Sequence, residues 1–453
     1  MFHFFKSING FLWGTPLLCV LLGTHLFFTC YLQFIQKYTF RAVKLSILSE
    51  TENSCEVGHE KAGFSGFGAL ETTLAATLGT GNIVGVSTAV YYGGPGAVFW
   101  CWITGILGMA TTYAECFLSV KYQQKQLTLT KLSPNSDSLH YYGGPMYIIK
   151  EGLHNKGLAA FYAFCVLISS FGAGCTTQSN SLAETASYLW HLPTWLIGML
   201  SALLVGVVLI AGVSSIETLC MKLIPITGAL FLSTSVVILI LNYDFLLEGL
   251  KLIFCSAFST TSISGGLLGG AVSFSLKTAA RYGIARGLFT NEAGLGTAGI
   301  TAAGSSMPPT TQALISMTAT FWDTVVCCAI TGLVIITNML RFPESIVGIS
   351  SGNLVNAAFE VIPFFGTSIL GVCMVLFAFA TLIGWSYLGQ QAFAYLFHYK
   401  GTKIYQTIYL IMIFIGAVMS LDLVWELTDT INFFMVIPNL ITLYRLRNEI
   451  EKP

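Results

Sequence analysis

The sequence predicts an all-α membrane protein with about eleven transmembrane helices. Of the 453 residues 54% are hydrophobic and only 9% charged, and the mean hydropathy is +0.73. A soluble domain carries about 25% charged residues. Apolar runs near the roughly 20 residues needed to cross a bilayer also recur along the whole chain. Zero net charge and the lack of an extended Lys/Arg tract argue against a nucleic-acid partner and against a lipid-binding tail.

The spans fall at about 11–35, 67–91, 97–120, 157–187, 194–212, 218–242, 253–275, 310–338, 367–393, 404–420 and 426–445. The first is longer than a signal-peptide core and lacks a small-residue cleavage site, so it reads as a retained span. The seventh, diluted by Ser and Gly, is the weakest. Cys19, Cys30, Cys101, Cys116, Cys165, Cys327, Cys328 and Cys373 sit inside apolar runs without metal-like pairing, as small buried hydrophobes do. The histidines show no metal-ligand spacing.

Charge tests the layout independently. Alternate loops hold Lys37, Arg41, Lys44 and Lys61; Lys121, Lys125, Lys131, Lys150 and Lys156; Lys222; Lys277, Arg281 and Arg286; Lys400 and Lys403; and Arg445, Arg447 and Lys452. Only Lys6, Lys251 and Arg341 fall on the other side. Basic residues favour the cytoplasm, so the reading is an N-terminus outside, a C-terminus in the cytoplasm and a multi-pass protein of the cell (inner) membrane. Aromatic residues near span ends (Tyr91, Tyr92, Trp100, Trp102, Tyr141, Tyr142) suit an interfacial belt.

Setting the first span aside leaves two groups of five. The expected organisation is an extra helix and cytoplasmic loop over 1–65, a first five-helix repeat over 66–242, a second over 243–445 and a tail over 446–453. An odd number of spans per half gives the halves opposite topologies, as an inverted repeat requires. The opening span of each half is glycine-rich, with "GTGN" (Gly79–Asn82) in the first and "SGGLLGG" (Ser264–Gly270) in the second. Broken helices at corresponding positions point to a binding site at mid-membrane.

The stretch "AATLGTGNIVGVSTAVYYGGPG" (Ala75–Gly96) admits three readings. A nucleotide loop fails, because the glycine spacing is one residue too long and the loop lysine is missing. Small residues at Gly81, Gly85 and Ser87 could serve close helix packing. A deliberate break is favoured over packing, because helix propensity collapses over Gly79, Thr80, Gly81 and Asn82. Freed amides at the start of the second half-helix would attract a carboxylate. Freed carbonyls around Ala75 and Leu78 would suit a hard cation such as sodium.

The block Leu74–Trp102 closely resembles the alanine/glycine:cation symporter family, also called sodium:alanine symporters. Matching blocks follow in order: "LGMATTYAECFLSVKY" (Leu107–Tyr122), "GGPMY" (Gly143–Tyr147), "QSNS" (Gln178–Ser181), "RGLFTNEAGLGTA" (Arg286–Ala298), "FWDT" (Phe321–Thr324), "FAFATLIGWSYLG" (Phe377–Gly389) and "IPNL" (Ile437–Leu440). The resemblance implies a LeuT-type fold of the amino acid-polyamine-organocation superfamily: two inverted five-helix repeats, preceded here by one extra N-terminal helix. It also implies sodium-coupled uptake of alanine, glycine or D-alanine by alternating access, with no cofactor and the sodium ion as coupling ion. Proton coupling on the same fold is the alternative, and a channel a more distant one. A membrane enzyme would need a nucleophile–base constellation, and none is visible. The oligomeric state stays open, a monomer being compatible.

Carried onto this sequence, amides of Gly79, Thr80 and Gly81 would hold the substrate carboxylate, and Asn82 would orient the substrate or help to ligate the ion. Gln178, Gly265 and Gly266 are wall candidates. Sodium would lie between carbonyls of Ala75 and Leu78 and the hydroxyl of Thr381. Trp385, one turn on and so on the same face, would shape the side-chain end of the pocket. Glu71, where relatives are usually uncharged, and Gln390, where many have Glu, depart from the family pattern. Intramembrane acids are functional candidates by default, so Glu71, Glu115 and Asp323 are candidates for coupling or for hydrogen bonds between helices. Glu184, Asp422, Glu426 and Asp429 lie nearer span ends, where capping is expected. Asn291 and Glu292 fall in a predicted cytoplasmic segment, as a gate or helix cap.

Overall fold

The computed structural model describes residues 14–53, 64–131, 143–259, 263–264, 273–274, 276–346, 349, 351–398, 400–419 and 422–453. Nearly all of them are helical. Helix α1 (Thr15–Tyr31) leads through a short turn into α2 (Thr39–Asn53), which bends away from it by 66°.

Then comes a series that occurs twice. A broken span, α3 (Gly66–Thr77) and α4 (Val84–Gly93), precedes the long α5 (Gly96–Lys131), the short α6 (Pro145–Gly152), the long pair α7 (Lys156–Phe171) and α8 (Thr177–Trp190), α9 (Thr194–Ala211) and α10 (Val213–Leu241). After α11 (Tyr243–Phe258) and a two-stranded pairing of Ile263–Ser264 with Ser273–Phe274, the order recurs. A second broken span, α12 (Leu276–Asn291) and α13 (Thr297–Ala302), precedes the long pair α14 (Pro309–Thr320) and α15 (Ala329–Arg341). The short α16 (Leu354–Phe359), the long α17 (Gly366–Phe397), α18 (Thr402–Val418) and α19 (Asp422–Arg445) complete it. α10 and α19, the last long helix of each series, each contain an internal proline, Pro225 and Pro438.

Local chemistry explains the ends. Ser65 caps α3 by accepting from the Gly68 amide at 2.8 Å, and Asn155 caps α7 through the Leu158 amide at 2.9 Å. Prolines open α1, α6 and α14, where the missing amide costs nothing. Among the described residues six helices are long and apolar enough to cross a membrane, and two bent pairs pass the same test together. Leu203, Leu204, Val207 and Ile210 on α9 and Ile404 and Ile411 on α18 are exposed, as lipid-facing side chains must be.

The two broken spans run antiparallel. Phe64, before α3, bridges to Ser305, after α13, whereas Gly93 at the far end of α4 meets Tyr282 and Thr278 of α12. This corrects two expectations. No helix spans 253–275: α11 ends at Phe258 and a strand pair follows, with Gly265 and Gly266 outside the described residues. The second broken span is α12–α13 instead. Lys277 and Arg281 therefore stand at the Gly93 end of the bundle, opposite the Gly66 end, and Arg286 lies within the span beside Gly85. Those three basic residues leave the charge tally in which they were placed.

Candidate functional site

The first break is built where the propensity collapse lies. α3 ends at Thr77, Gly79 is extended at φ −130° and ψ −160°, Thr80–Asn82 make one tight turn, and α4 resumes at Val84. The two halves are bent by 63°. The first amides and last carbonyls of a helix have no partners within it, so both kinds of group are released here. The Gly79 amide donates to Asn82 Oδ1 at 3.1 Å.

α17 packs across this break. Gly384 is the point of closest approach, since a Cβ there would lie 2.6 Å from the Ala76 nitrogen. Thr381, one turn earlier, holds its hydroxyl 3.2 Å from the Leu78 carbonyl and 3.0 Å from the Phe377 carbonyl. A hydroxyl donates to one of these at a time, and both oxygens are hard ligands. A hard cation is ligated by oxygens at roughly 2.3–2.6 Å, so Leu78 O and Thr381 Oγ1 are close enough to share one. Gln178 of α8 also lies against the break, its Oε1 3.4 Å from Thr80 Oγ1.

On the other flank a π-helical segment, Phe321–Cys328, joins α14 to α15 and presents Asp323. This carboxylate is fully buried. It accepts from Asn82 Nδ2 at 2.5 Å and from Thr324 Oγ1 at 2.6 Å. Cys328 Sγ, 3.4 Å from Asn82 Nδ2 and 3.7 Å from Thr290 Oγ1, joins this cluster to the end of α12. A buried charge persists only with such partners.

The second break is Glu292–Gly296, with positive φ at Glu292 (53°), Gly294 (98°) and Gly296 (86°). Asn291 Oδ1 accepts from the Ala293 amide at 3.0 Å, and Glu115 Oε1 accepts from the Gly294 amide at 2.9 Å. Asn439 donates both to Glu115 Oε1 at 2.6 Å and to the Gly294 carbonyl at 2.8 Å. Tyr162 donates to the Leu295 carbonyl at 2.7 Å. Glu292 accepts from Thr297 Oγ1 at 2.7 Å. Trp385 abuts a second π-helical segment, Gly172–Thr176, at Gly174, where a Cβ would overlap its ring.

The structure thus brings Leu78, Gly79, Thr80, Gly81, Asn82, Gln178, Thr381 and Asp323 together, with Ala75 against Gly384 one turn back. It places Asn291 at the end of α12 and Glu292 in the second break rather than in a loop between spans, which corrects that expectation. Glu71 is buried on α3 near Cys220 of α10. It stands seven residues before Leu78, about 10 Å along the helix. Glu115 serves the second break. The side chains of Asp422, Glu426 and Asp429 lie outside the described residues. Thr290, Cys328 and Asn439 escaped sequence reading, because their partners are supplied by distant helices. A cavity of about 790 Å³ between α8, α16 and α17 reaches Val84, two residues past Asn82, and Glu184 and Glu360 stand on its wall.

Two antiparallel broken helices inside a bundle of membrane-length helices are the architecture of secondary transporters. Comparison with known proteins makes the class particular. The model of the sodium:alanine symporter family matches residues 1–452, and the chain belongs to that family, whose members are transporters and not enzymes. An uncharacterized transporter of Haemophilus influenzae is 40% identical over 98% of this chain and 93% of its own length. The sodium/alanine symporter AgcS of Methanococcus maripaludis is 38% identical over 97% of this chain and 94% of its own. Among solved structures, a Na+-coupled sialic acid symporter aligns with 90% of this chain and 81% of its own, at 11% identity and a TM-score of 0.47. The protein is a multi-pass membrane transporter of a sodium-coupled amino-acid symporter family.

Proposed function

We propose that the chain carries a small neutral amino acid, alanine before glycine or D-alanine, into the cell together with sodium. The observation that carries this reading is the first break. The Leu78 carbonyl, just past the end of α3, faces the Thr381 hydroxyl, and freed amides open the turn that follows. The first suits a cation, the second a carboxylate, and a zwitterion with a coupling ion needs both. The name of the 38%-identical relative supports alanine as the substrate.

In this proposal sodium sits on the carbonyls of Ala75 and Leu78 and on Thr381. Amides of Thr80 and Gly81 take the substrate carboxylate, since the Gly79 amide is already given to Asn82. Gln178 closes the wall and Trp385 limits the side-chain end, because overpacking costs about 1–3 kcal/mol. The recurring element order supports two inverted repeats over 66–241 and 276–445, rocking about the site so that it opens to one side at a time. The inner membrane, with the N-terminus outside, is the setting proposed.

The test is uptake of radiolabelled alanine into proteoliposomes with and without a sodium gradient. Thr381→Ala should raise the sodium concentration needed about 10–100-fold, the loss expected for one contact to a charged group. Unchanged sodium dependence in that variant removes the ion site. Uptake that ignores sodium and collapses with a protonophore overturns sodium coupling in favour of protons.

A further inference from the structure

We propose that α2 is a docking face for anionic phospholipid headgroups, and that lipid held there steadies the start of the first broken span. The two faces of this helix differ. Ala42, Ser46 and Ser49, at i, i+4 and i+7, are buried. They turn toward the bundle, where the Ser49 hydroxyl lies 3.2 Å from the place a Cβ would take on Gly66, the first residue of α3. The serine hydroxyls are satisfied within the helix, Ser46 donating to Val43 O at 2.8 Å and Ser49 to Ser46 O at 2.7 Å. This face is therefore a fixed packing surface.

The opposite face mixes charge with large apolar side chains. Phe40 is 85% exposed, Ile47 56% and Leu48 45%, and Arg41 and Lys44, with Lys37 in the turn that leads into the helix, are exposed along the same stripe at i, i+4 and i+7. Among the described residues none of the three basic groups is in an ion pair, and Lys37 Nζ stands 5.0 Å from the Tyr38 ring centre. A stripe that is both basic and apolar suits neither water nor the hydrocarbon core. It suits the headgroup boundary, with the rings and aliphatic chains in the acyl region and the cations on phosphate. The bilayer itself supplies that occupant: α1 is apolar and the 66° bend lays α2 off its axis. A protein partner would have to displace lipid already in place. Because α2 packs on α3, a bound headgroup restrains the half-helix whose far end carries Leu78.

The experiment uses the full chain in vesicles of phosphatidylcholine alone and in vesicles with about a third phosphatidylglycerol. The first readout needs no transport: phosphatidylglycerol retained by the extracted protein, counted by native mass spectrometry. The unaltered protein should retain it and release most of it when salt is raised to about 1 M, which screens exposed charge. The triple variant Lys37→Gln, Arg41→Gln, Lys44→Gln should retain about fivefold less, while Lys400→Gln, Lys403→Gln, at another basic cluster, should match the unaltered protein. Equal retention in the triple variant, or retention indifferent to salt, overturns the proposal. The second readout rests on the transport reading: alanine uptake should rise about threefold with phosphatidylglycerol in the unaltered protein and stay level in the triple variant. Lipid retention without that rise keeps the docking face and removes the effect on α3. A triple variant that loses a co-purifying protein instead of lipid assigns the face to that protein and overturns the lipid.

Discussion

The two helix breaks are opposite solutions to one problem. Each interrupts a span inside the bundle and so releases backbone groups that the membrane interior cannot hydrate. At the second break, side chains from α5, α7 and α19 reach in, and Glu115, Tyr162 and Asn439 take the Gly294 amide and the Gly294 and Leu295 carbonyls. At the first, the side-chain contacts to backbone are Asn82 to the Gly79 amide and Thr381 to the Leu78 carbonyl. A break closed by protein is a fixture. A break left partly open has backbone groups that an ion and a substrate can engage, which is why the proposed site is placed at the first break.

The sharpest way to break this comparison is Gly296→Ala. Gly296 holds φ at 86°, and a Cβ there would lie 2.6 Å from both Tyr162 Oη and Pro145 Cγ. Strain and overlap together should exceed about 3 kcal/mol, and no monodisperse protein should elute from size exclusion. A well-folded variant would show the second break to be yielding. Glu115→Gln comes next. It keeps an acceptor for Gly294 but weakens a charge-assisted pair, and should cost about 1–2 kcal/mol, seen as a lower melting temperature in detergent with sodium dependence intact. Altered sodium dependence at an unchanged melting temperature would move functional weight to the second break. Gly81→Ala is the mildest. Its Cβ would sit 3.3 Å from Thr290 Cγ2, a contact that can adjust. Melting should not change while the alanine concentration for half-maximal uptake rises about 3–10-fold. Unaltered uptake would place the substrate elsewhere.

The first break was legible because its signal is local: Gly79 to Asn82 lower helix propensity wherever they stand. Asp323 and Glu115 were legible as acids within apolar runs. The second break was not. Glycine density pointed to Gly265 and Gly266, while the segment that does break opens with Lys277, Arg281 and Arg286, which hydropathy reads as a loop. Its partners are also remote, with Glu115 lying 179 residues from Gly294 and 324 from Asn439. No window along the chain contains them together. The block "RGLFTNEAGLGTA" contains the break because Glu292, Gly294 and Gly296 each adopt a left-handed backbone that most residues resist.

The π-helical segments govern phase. Such a turn holds one residue more than an α-turn, so everything beyond it is rotated by about 100° relative to an unbroken helix. Gln178 follows Gly172–Thr176 by two positions, and Asp323 lies inside Phe321–Cys328. Both owe their direction to that extra residue. Deleting one residue from Gly172–Thr176 would leave a helix as apolar and nearly as long, yet would turn Gln178 out of the site. Residue count within these spans, as much as residue type, sets where the wall of the site stands.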